Sequence, residues 1–135
     1  MKEILSYYGV KMDLKGYRTV SIEGTQCLIK KEMTPLVNEK TKAAGTKIRN
    51  SEISLEFAFK IAKNATRNTM IINKKAETLF LYGRDVFKKN IVKGDLKKGK
   101  KLVLNRKREC LGIGYWNGDM IRNIKDRGMF LRSMD

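Results

Sequence analysis

Three groups of basic side chains in the second half of this chain have the residue types and spacing for one kind of chemistry, the binding of phosphate. Residues 68–135 contain 17 Lys and Arg against 7 Asp and Glu, whereas residues 1–67 contain 13 against 7. The chain of 135 residues carries a formal net charge of +16. Because like charges repel each other in a folded protein, this excess favours a polyanionic partner. We expect nucleic acid rather than a membrane surface, because no basic amphipathic helix is visible.

The first group surrounds a glycine turn. Gly83 and Arg84 follow the apolar run 78–82, and Lys88 and Lys89 come shortly after. Glycine permits a sharp turn and lets the backbone approach a ligand closely. The same residues also fit a turn that only connects a strand to a helix and binds no ligand, with the lysines on a solvated helix face. The spacing alone leaves both interpretations open.

The second group is a run of three cations, Arg106, Lys107 and Arg108, between two apolar segments that are typical of a hairpin. A charged run at a turn is often only a solvated surface. Three positive side chains at one tip also repel each other, and a bound phosphate would relieve that repulsion. Both interpretations stay open here as well.

The third group lies near the C-terminus and consists of Arg122, Lys125, Arg127 and Arg132. Guanidinium groups match pairs of phosphate oxygens and can stack on nucleobases. Strand alternation gives Arg122 the same face as the residues two positions away, so the four side chains cannot all reach solvent from one strand face. These four are the foremost candidates for contacts to phosphate.

Catalytic, metal and cofactor chemistry is not expected. The chain has no histidine, so the usual acid or base at neutral pH is missing. Cys27 and Cys110 lie far apart, and they are interpreted as two buried hydrophobic side chains rather than as a disulfide or a zinc site. We therefore predict no catalytic residues, no metal and no cofactor, and interpret the chain as a binding module, not an enzyme.

The segment "LGIGYW" could be taken for part of a nucleotide-binding loop. No third glycine opens a helix after Gly112 and Gly114, so a dinucleotide-binding motif is excluded. A bulge, or close backbone packing in a small barrel, is the preferred use of the two glycines. Of Tyr115 and Trp116, one is expected in the core and the other could stack on a base.

The elements that position these side chains begin with a mixed α and β half. Residues 17–22 and 25–32 alternate around a turn and predict a hairpin. Thr34 and Pro35 predict a helix that runs to about residue 44. Asn50 or Ser51 is expected to cap a further helix, whose apolar positions recur every four residues at Ile53, Phe57, Ile61 and Ala65. The opening residues 3–12 are compatible with a short helix.

The second half predicts mainly short strands. Strands are expected at residues 69–72, 78–82, 100–106, 109–116, 120–124 and 127–133, with one small helix at 84–90 that has Val86 and Phe87 facing in. Short strands at this spacing favour a compact β-barrel over a doubly wound sheet.

The segments "GRDVF", "GDLKKGKKLVLN", "LGIG" and "DRGMFLR" occur in the order that is typical of a PUA domain, which residues 68–135 resemble. "FLYGRDVFKK" is similar to the Nip-seven family of archaeal and eukaryotic ribosome biogenesis proteins. The resemblance implies an α+β protein with an N-terminal α/β domain at residues 1–67 and a C-terminal PUA β-barrel at residues 68–135. It matches residues 1–67 only loosely.

The resemblance also implies a function. PUA domains of this kind bind RNA through the turn after the first strand and through the last strands, so this chain is expected to bind large-subunit ribosomal RNA precursors, with other ribosome biogenesis proteins as possible partners. The expected location is the cytoplasm, or the nucleolus in a eukaryote. The RNA-binding residues implied by the three groups are Gly83, Arg84, Lys88, Lys89, Arg106, Lys107, Arg122, Lys125, Arg127 and Arg132.

Two other functions fit the same sequence. The chain could be the RNA-binding accessory subunit of an RNA-modifying enzyme whose catalytic chain is separate. It could also be a basic scaffold for protein interactions, with charge that serves solubility.

Overall fold

The computed structural model describes residues 1–32, 45–49 and 53–132. The N-terminal half contains α1 (Lys2–Tyr7), β1 (Tyr17–Ile22), β2 (Thr25–Lys30), β3 (Thr46–Arg49) and α2 (Leu55–Ala62). The C-terminal half contains β4 (Thr69–Ile72), α3 (Lys74–Leu81), β5 (Val86–Phe87), a 3-10 turn (Lys88–Asn90), β6 (Ile91–Gly94), β7 (Gly99–Leu104), β8 (Cys110–Trp116), β9 (Met120–Asp126) and α4 (Gly128–Arg132).

The predicted hairpin of the first half is confirmed. Strands β1 and β2 pair antiparallel from Tyr17 with Lys30 to Ile22 with Thr25. The two turn residues, Glu23 and Gly24, have φ of +49° and +79°, as in the tight turns that match strand twist. Strand β3 adds to β2, giving a three-stranded antiparallel sheet. The predicted short helix at the N-terminus is also present, as α1.

Helix α2 begins later than expected. Its cap is Ser54, whose hydroxyl oxygen accepts the backbone N–H of Phe57 at 3.0 Å. Asn50 and Ser51, the expected caps, lie outside the described residues, as does the helix predicted over residues 34–44. Ile53 is buried but precedes the helix. The backbone N–H of Ser54 donates to the carbonyl of Ile48 in β3, so the start of the helix is tied to the sheet.

The C-terminal half forms a six-stranded sheet that curls into a nearly closed barrel, as predicted. Its strand order is β5-β9-β8-β7-β4-β6. Strands β4 and β7 pair in parallel, and the other neighbours pair antiparallel. The predicted hairpin across residues 105–109 is confirmed by the pairing of β7 with β8.

The order of strand and helix around Gly83 was predicted wrongly. Residues 78–81 belong to helix α3 and not to a strand, with Tyr82 as the C-cap, because the side chain of Asn73 caps the start of that helix by accepting the N–H of Ala76 at 2.9 Å. Ala76 and Phe80, four residues apart, then face the core together. The apolar run alone was too short to reveal this helical period.

Two further segments correct the sequence-based prediction. Residues 84–90 are not a helix, because Val86 and Phe87 pair with β9 as strand β5. As a strand, β5 points its two side chains to opposite faces, so Val86 is buried while Phe87 is 57% exposed. The strand predicted over residues 127–133 is wrong within the described part of the segment, because α4 spans Gly128–Arg132. This turn of helix brings Arg132 back to Asp126.

Two hydrophobic clusters lie on the two sides of the barrel wall. The barrel cluster fills the inside under α3 and contains Met70, Ile72, Phe80, Val103, Trp116 and Ile121 among others. The outer cluster joins the N-terminal half to the opposite face of the sheet, where Leu102, Leu104 and Ile113 pack with α1 and α2. Because both halves build the outer cluster, the domain boundary at residues 67 and 68 stays a prediction.

The glycines of β8 and the cysteines serve packing. A methyl group at Gly112 would lie 2.1 Å from the carbonyl oxygen of Lys125, and the register with β9 shifts between Ile113 and Gly114. The interpretation of these glycines as a bulge with close backbone packing is confirmed. Cys27 and Cys110 are both buried with free thiols. No helix among the described residues is long and apolar enough to cross a membrane.

Candidate nucleic-acid interface

A cleft of about 800 Å³ opens between α3, α4 and the tip of the β7–β8 hairpin. Helix α3 lines one wall, the hairpin tip the second, and the start of α4 the third. Aromatic and aliphatic side chains contribute the apolar part of the lining, including Tyr82, which is 69% exposed. The lining residues are Phe59, Lys74, Glu77, Thr78, Leu81, Tyr82, Asn105, Glu109, Leu111, Arg127, Gly128 and Arg132.

A second cleft of about 440 Å³ adjoins the first. The two clefts share three lining residues, Phe59, Glu109 and Arg127. The second cleft extends the surface toward the end of α2 and is lined in addition by Ala62, Lys63, Lys107, Arg108 and Cys110. We call the two together the basic cleft.

The lining of the basic cleft is predominantly positive. Its basic residues are Lys63, Lys74, Lys107, Arg108, Arg127 and Arg132, against the two acids Glu77 and Glu109. Both acids accept hydrogen bonds from the side-chain amide of Asn105, at 3.2 Å and 3.0 Å. The two carboxylates are thereby directed toward one neutral group, so an anion in the cleft meets an excess of cations.

The hairpin tip is held in shape by its own hydrogen bonds. The side-chain oxygen of Asn105 accepts the backbone N–H groups of Lys107 and Glu109, at 3.0 Å and 2.9 Å. Arg108 takes a positive φ of +63°, and its guanidinium donates to the carbonyl of Ala65 after α2 at 3.1 Å. The tip therefore projects Lys107 and Arg108 from a fixed backbone.

Comparison with known proteins shows the family. A family model for the UPF0113 PUA domain matches residues 68–135. A UPF0113 protein of Archaeoglobus fulgidus is 30% identical over an alignment of 154 residues that covers 98% of this chain and 88% of the relative. This chain belongs to the UPF0113 PUA-domain family. PUA domains bind RNA in general.

A solved structure supports the same fold. It is described as a conserved PUA domain protein from Thermoplasma acidophilum and superposes with a TM-score of 0.63 at 18% identity, covering 98% of this chain and 91% of the other. At that identity the likeness concerns the fold alone. The basic cleft is consequently a surface of this PUA domain, at the edge where the N-terminal half contributes Phe59 and Lys63.

Only three of the ten residues predicted to bind RNA line the basic cleft. Lys107 lies at the hairpin tip. Arg127 places its guanidinium 5.1 Å from the ring centre of Phe59, a cation–π contact that holds both side chains on the wall shared by the two clefts. Arg132 forms hydrogen bonds with Asp126 and with the carbonyl of Leu81, and the bond to Asp126 raises the pKa of its guanidinium.

The turn at Gly83 lies beside the cleft and is tied to β9. Gly83 has φ of +86°, and a methyl group there would be 3.2 Å from the guanidinium of Arg132. The side-chain amide of Asn123 donates to the carbonyl of Phe80 at 2.9 Å, and the backbone N–H of Asn123 donates to Asp85 at 2.8 Å. The expected turn is thus present, with Arg132 packed close to its glycine.

The other predicted residues are dispersed over the PUA domain. Arg84 and Arg106 are exposed, and Arg122 is 64% exposed with its Nε 3.6 Å from the Asp85 carboxylate. Lys125 points to the N-terminal half, where its ammonium donates to the carbonyl of Ile53 at 3.1 Å. The remaining pair, Lys88 and Lys89, is exposed on the 3-10 turn.

Helix α3 separates Lys88 and Lys89 from the Gly83 turn. Asn90 at the end of the 3-10 turn bonds with Asn73 at the start of the helix, whereas Gly83 follows the helix end. Eight helical residues span about 12 Å. Lys88 and Lys89 are therefore separated from the Gly83 turn by the length of α3, and the group that was adjacent in sequence is divided in space. Whether these ten residues contact RNA stays a prediction.

Part of the cleft lining was not predicted from the sequence. Phe59, Lys63, Lys74 and Tyr82 were not among the predicted site residues, and Arg108 was considered only with its neighbours at the tip. Lys74 is the first residue of α3, and Lys63 follows the last residue of α2. Their proximity depends on how two helices pack on the barrel, so no local signal in the sequence indicates it.

Proposed function

We propose that this chain is an RNA-binding factor of ribosome biogenesis that acts on large-subunit ribosomal RNA precursors. The observation that carries the proposal is the basic cleft on a PUA domain, with six basic and two acidic lining residues. The similarity of "FLYGRDVFKK" to the Nip-seven family supports the ribosomal part. Under this proposal the chain works in the cytoplasm, or in the nucleolus of a eukaryote, with other biogenesis proteins as partners.

Binding in the cleft would have two components. Cations such as Lys63, Lys74 and Lys107 neutralise backbone phosphates and supply affinity without regard to sequence. The exposed ring of Tyr82 offers a face to an unpaired base, and unpaired bases are where proteins mostly read RNA sequence because the A-form major groove is narrow. We propose that the chain holds RNA without transforming it, since it contains no histidine.

Salt dependence tests the electrostatic component. If the six basic residues of the cleft each neutralise one phosphate, affinity for RNA falls about 10³-fold between roughly 50 and 200 mM salt. Fluorescence anisotropy with a labelled RNA at several salt concentrations measures the slope. A nearly flat dependence would contradict binding through these cations.

Charge reversal tests the cleft itself. Lys63→Glu with Lys107→Glu removes two exposed cleft lysines, and the slope of log affinity against log salt should fall by about 1.4–1.8. Lys2→Glu with Lys93→Glu makes the same charge change at exposed positions that do not line the cleft. Equal losses for the two double variants would show that overall charge, and not the cleft, determines binding.

Crosslinking in cells followed by sequencing of the attached RNA tests the biological part. Large-subunit ribosomal precursors should dominate the recovered RNA from wild type and be depleted with the Lys63→Glu, Lys107→Glu variant. Recovery of transfer RNA together with a co-purifying modification enzyme would replace the ribosomal role with that of an accessory subunit.

A further inference from the structure

The last two residues of β8, Tyr115 and Trp116, place their side chains on opposite faces of the sheet. Trp116 is 2% exposed and belongs to the barrel cluster, and its indole N–H donates to the carbonyl of Leu96 at 3.0 Å. Tyr115 points the other way and is 42% exposed. The aromatic side chain available to a ligand at this strand end is therefore Tyr115, which does not line the basic cleft.

Tyr115 is the centre of a cross-strand row. It pairs with Lys100 of β7 on one side and with Arg122 of β9 on the other. Directly paired residues on neighbouring strands project to the same face, with Cβ atoms about 5 Å apart. The row therefore presents a ring between a lysine and an arginine. Leu102 and Ile113 lie two positions away from Lys100 and Tyr115 on the same sheet face, and both pack in the outer cluster. The row therefore lies on the continuation of that face, beyond the part that the N-terminal half covers.

A second aromatic ring borders the row at its Lys100 end. Tyr7 of α1 is 40% exposed, and its hydroxyl donates to the carbonyl of Lys100 at 2.8 Å. Its ring stands edge-on to the buried Tyr8, with centroids 4.8 Å apart. Asn68 additionally donates to the carbonyl of Tyr7 at 2.7 Å. Tyr7 is thus held in place, and its ring extends the aromatic surface next to the sheet.

The charge around the row suits a polyanion. Arg122 is 64% exposed, and its contact with Asp85 at 3.6 Å is longer than a hydrogen bond, so its guanidinium can turn to a phosphate. Lys98 lies over the β8–β9 turn, where a methyl group at Gly118 would be 3.0 Å from its side chain. Asp85, together with Asp95 near Tyr7, offsets part of this charge.

We infer that the row Lys100–Tyr115–Arg122, with Tyr7 beside it, is a second RNA contact that takes an unpaired base. The base stacks on Tyr115, and Arg122 binds an adjoining phosphate. Stacking accepts any base because every base has a flat face, so the row binds single-stranded RNA with little sequence preference. The inference rests on the proposed RNA-binding function, but it concerns a surface separate from the basic cleft.

The test compares two substitutions at Tyr115 on the full chain. Tyr115→Ala should weaken binding of a ten-nucleotide oligouridine by about 5- to 150-fold, the range for loss of one stacked base. Tyr115→Phe keeps the ring and should bind like wild type, and it shows that any loss in the alanine variant is due to the ring. Binding of an abasic strand of the same length should be equal for the three proteins, because there is no base to stack.

A third variant separates charge from stacking. Arg122→Gln should lower the slope of log affinity against log salt by about 0.7, the value for one phosphate of a single strand. Tyr115→Ala should leave that slope unchanged while it weakens binding at every salt concentration. A lowered slope with Tyr115→Ala would contradict the assignment of the ring to stacking.

The outcomes distinguish this inference from the proposed function. Wild-type affinity of Tyr115→Ala for oligouridine would overturn the inference, and so would an equal loss for the abasic strand, which would assign the row to phosphate alone. If Tyr115→Ala loses affinity while Lys63→Glu with Lys107→Glu binds normally, the row is retained as an RNA contact and the basic cleft is rejected as one. The converse result retains the cleft and eliminates the row.

Discussion

Arg132 and Asp126 form a pair of parallel hydrogen bonds across the start of α4, at 3.1 Å and 2.9 Å. Asp126 is 1% exposed at its side chain, whereas Arg132 is 40% exposed. The same guanidinium donates to the carbonyl of Leu81 at the end of α3 at 2.6 Å. One arginine thus joins β9, α3 and α4, and it does so at the rim of the basic cleft.

The first prediction concerns this pair. Arg132→Gln leaves the buried Asp126 carboxylate with fewer donors and should lower the free energy of unfolding by about 1–3 kcal/mol. Asp126→Asn in the Arg132→Gln background should cost less than Asp126→Asn alone, because no unpaired charge is then left buried. Denaturant titration of the double-mutant cycle measures the coupling. Additive losses would show that the two side chains do not stabilise each other.

The second prediction concerns pH and the ion pair between Asp95 and the fully buried Lys101, at 3.8 Å. The backbone N–H of Lys97 is the main cause of the lowered pKa of Asp95, and the Lys101 ammonium adds to it. Burial lowers the pKa of Lys101. Because the lowered carboxyl pKa favours the folded state only while the group is ionised, its contribution is full above pH 3.8 and is lost as the pH falls through the lowered value.

Asp95→Asn should therefore lower the free energy of unfolding by about 1–2 kcal/mol at neutral pH, between the values for exposed and buried ion pairs. The difference from wild type should shrink as the pH falls below 3.8. Asp119→Asn, at an exposed position in the β8–β9 turn, is the control and should change stability by less than about 0.5 kcal/mol. A difference that persists at low pH would mean that Asp95 acts through its shape and not its charge.

The third prediction concerns the close approach of α4 to α3. A methyl group at Gly128 would lie 1.8 Å from the carbonyl oxygen of Leu81, so Gly128→Ala must displace one helix and should cost about 1–3 kcal/mol. Gly16→Ala has nothing within 4 Å of the added methyl and serves as the matched control. Thermal unfolding compares the two variants. Equal midpoints would show that α4 moves aside without cost.

The fourth prediction concerns the Cys110 thiol. Burial raises its pKa to about 11, so at pH 8 only about one molecule in a thousand carries the reactive thiolate. In a Cys27→Ala background, alkylation by iodoacetamide should be at least about 100-fold slower in the native protein than in the unfolded protein. The native rate should rise about tenfold per pH unit until the pH approaches 11. Rapid native labelling at pH 8 would show that this part of the outer cluster opens readily.

Local patterns in the chain were sufficient for several elements. Alternating residues and a Glu23–Gly24 turn predicted the first hairpin, and the spacing of Phe57 and Ile61 predicted the buried face of α2. These features depend on neighbours within a few residues, which the sequence displays directly. The wrong assignments at residues 78–90 arose because a side-chain cap at Asn73 and a strand partner in β9 decided between two local conformations.

The sequence by itself determined that this chain is strongly basic in its second half, forms short strands and resembles a PUA domain, because charge, alternation and motif order are properties of the chain. Only the tertiary structure decided which basic side chains lie close together. It brought Lys63, Lys74 and Lys107 to one cleft, separated Lys88 from Gly83, and exposed Tyr115 while burying Trp116. The physical reason is that helix packing and strand register place side chains from distant parts of the chain together, and no local pattern encodes either.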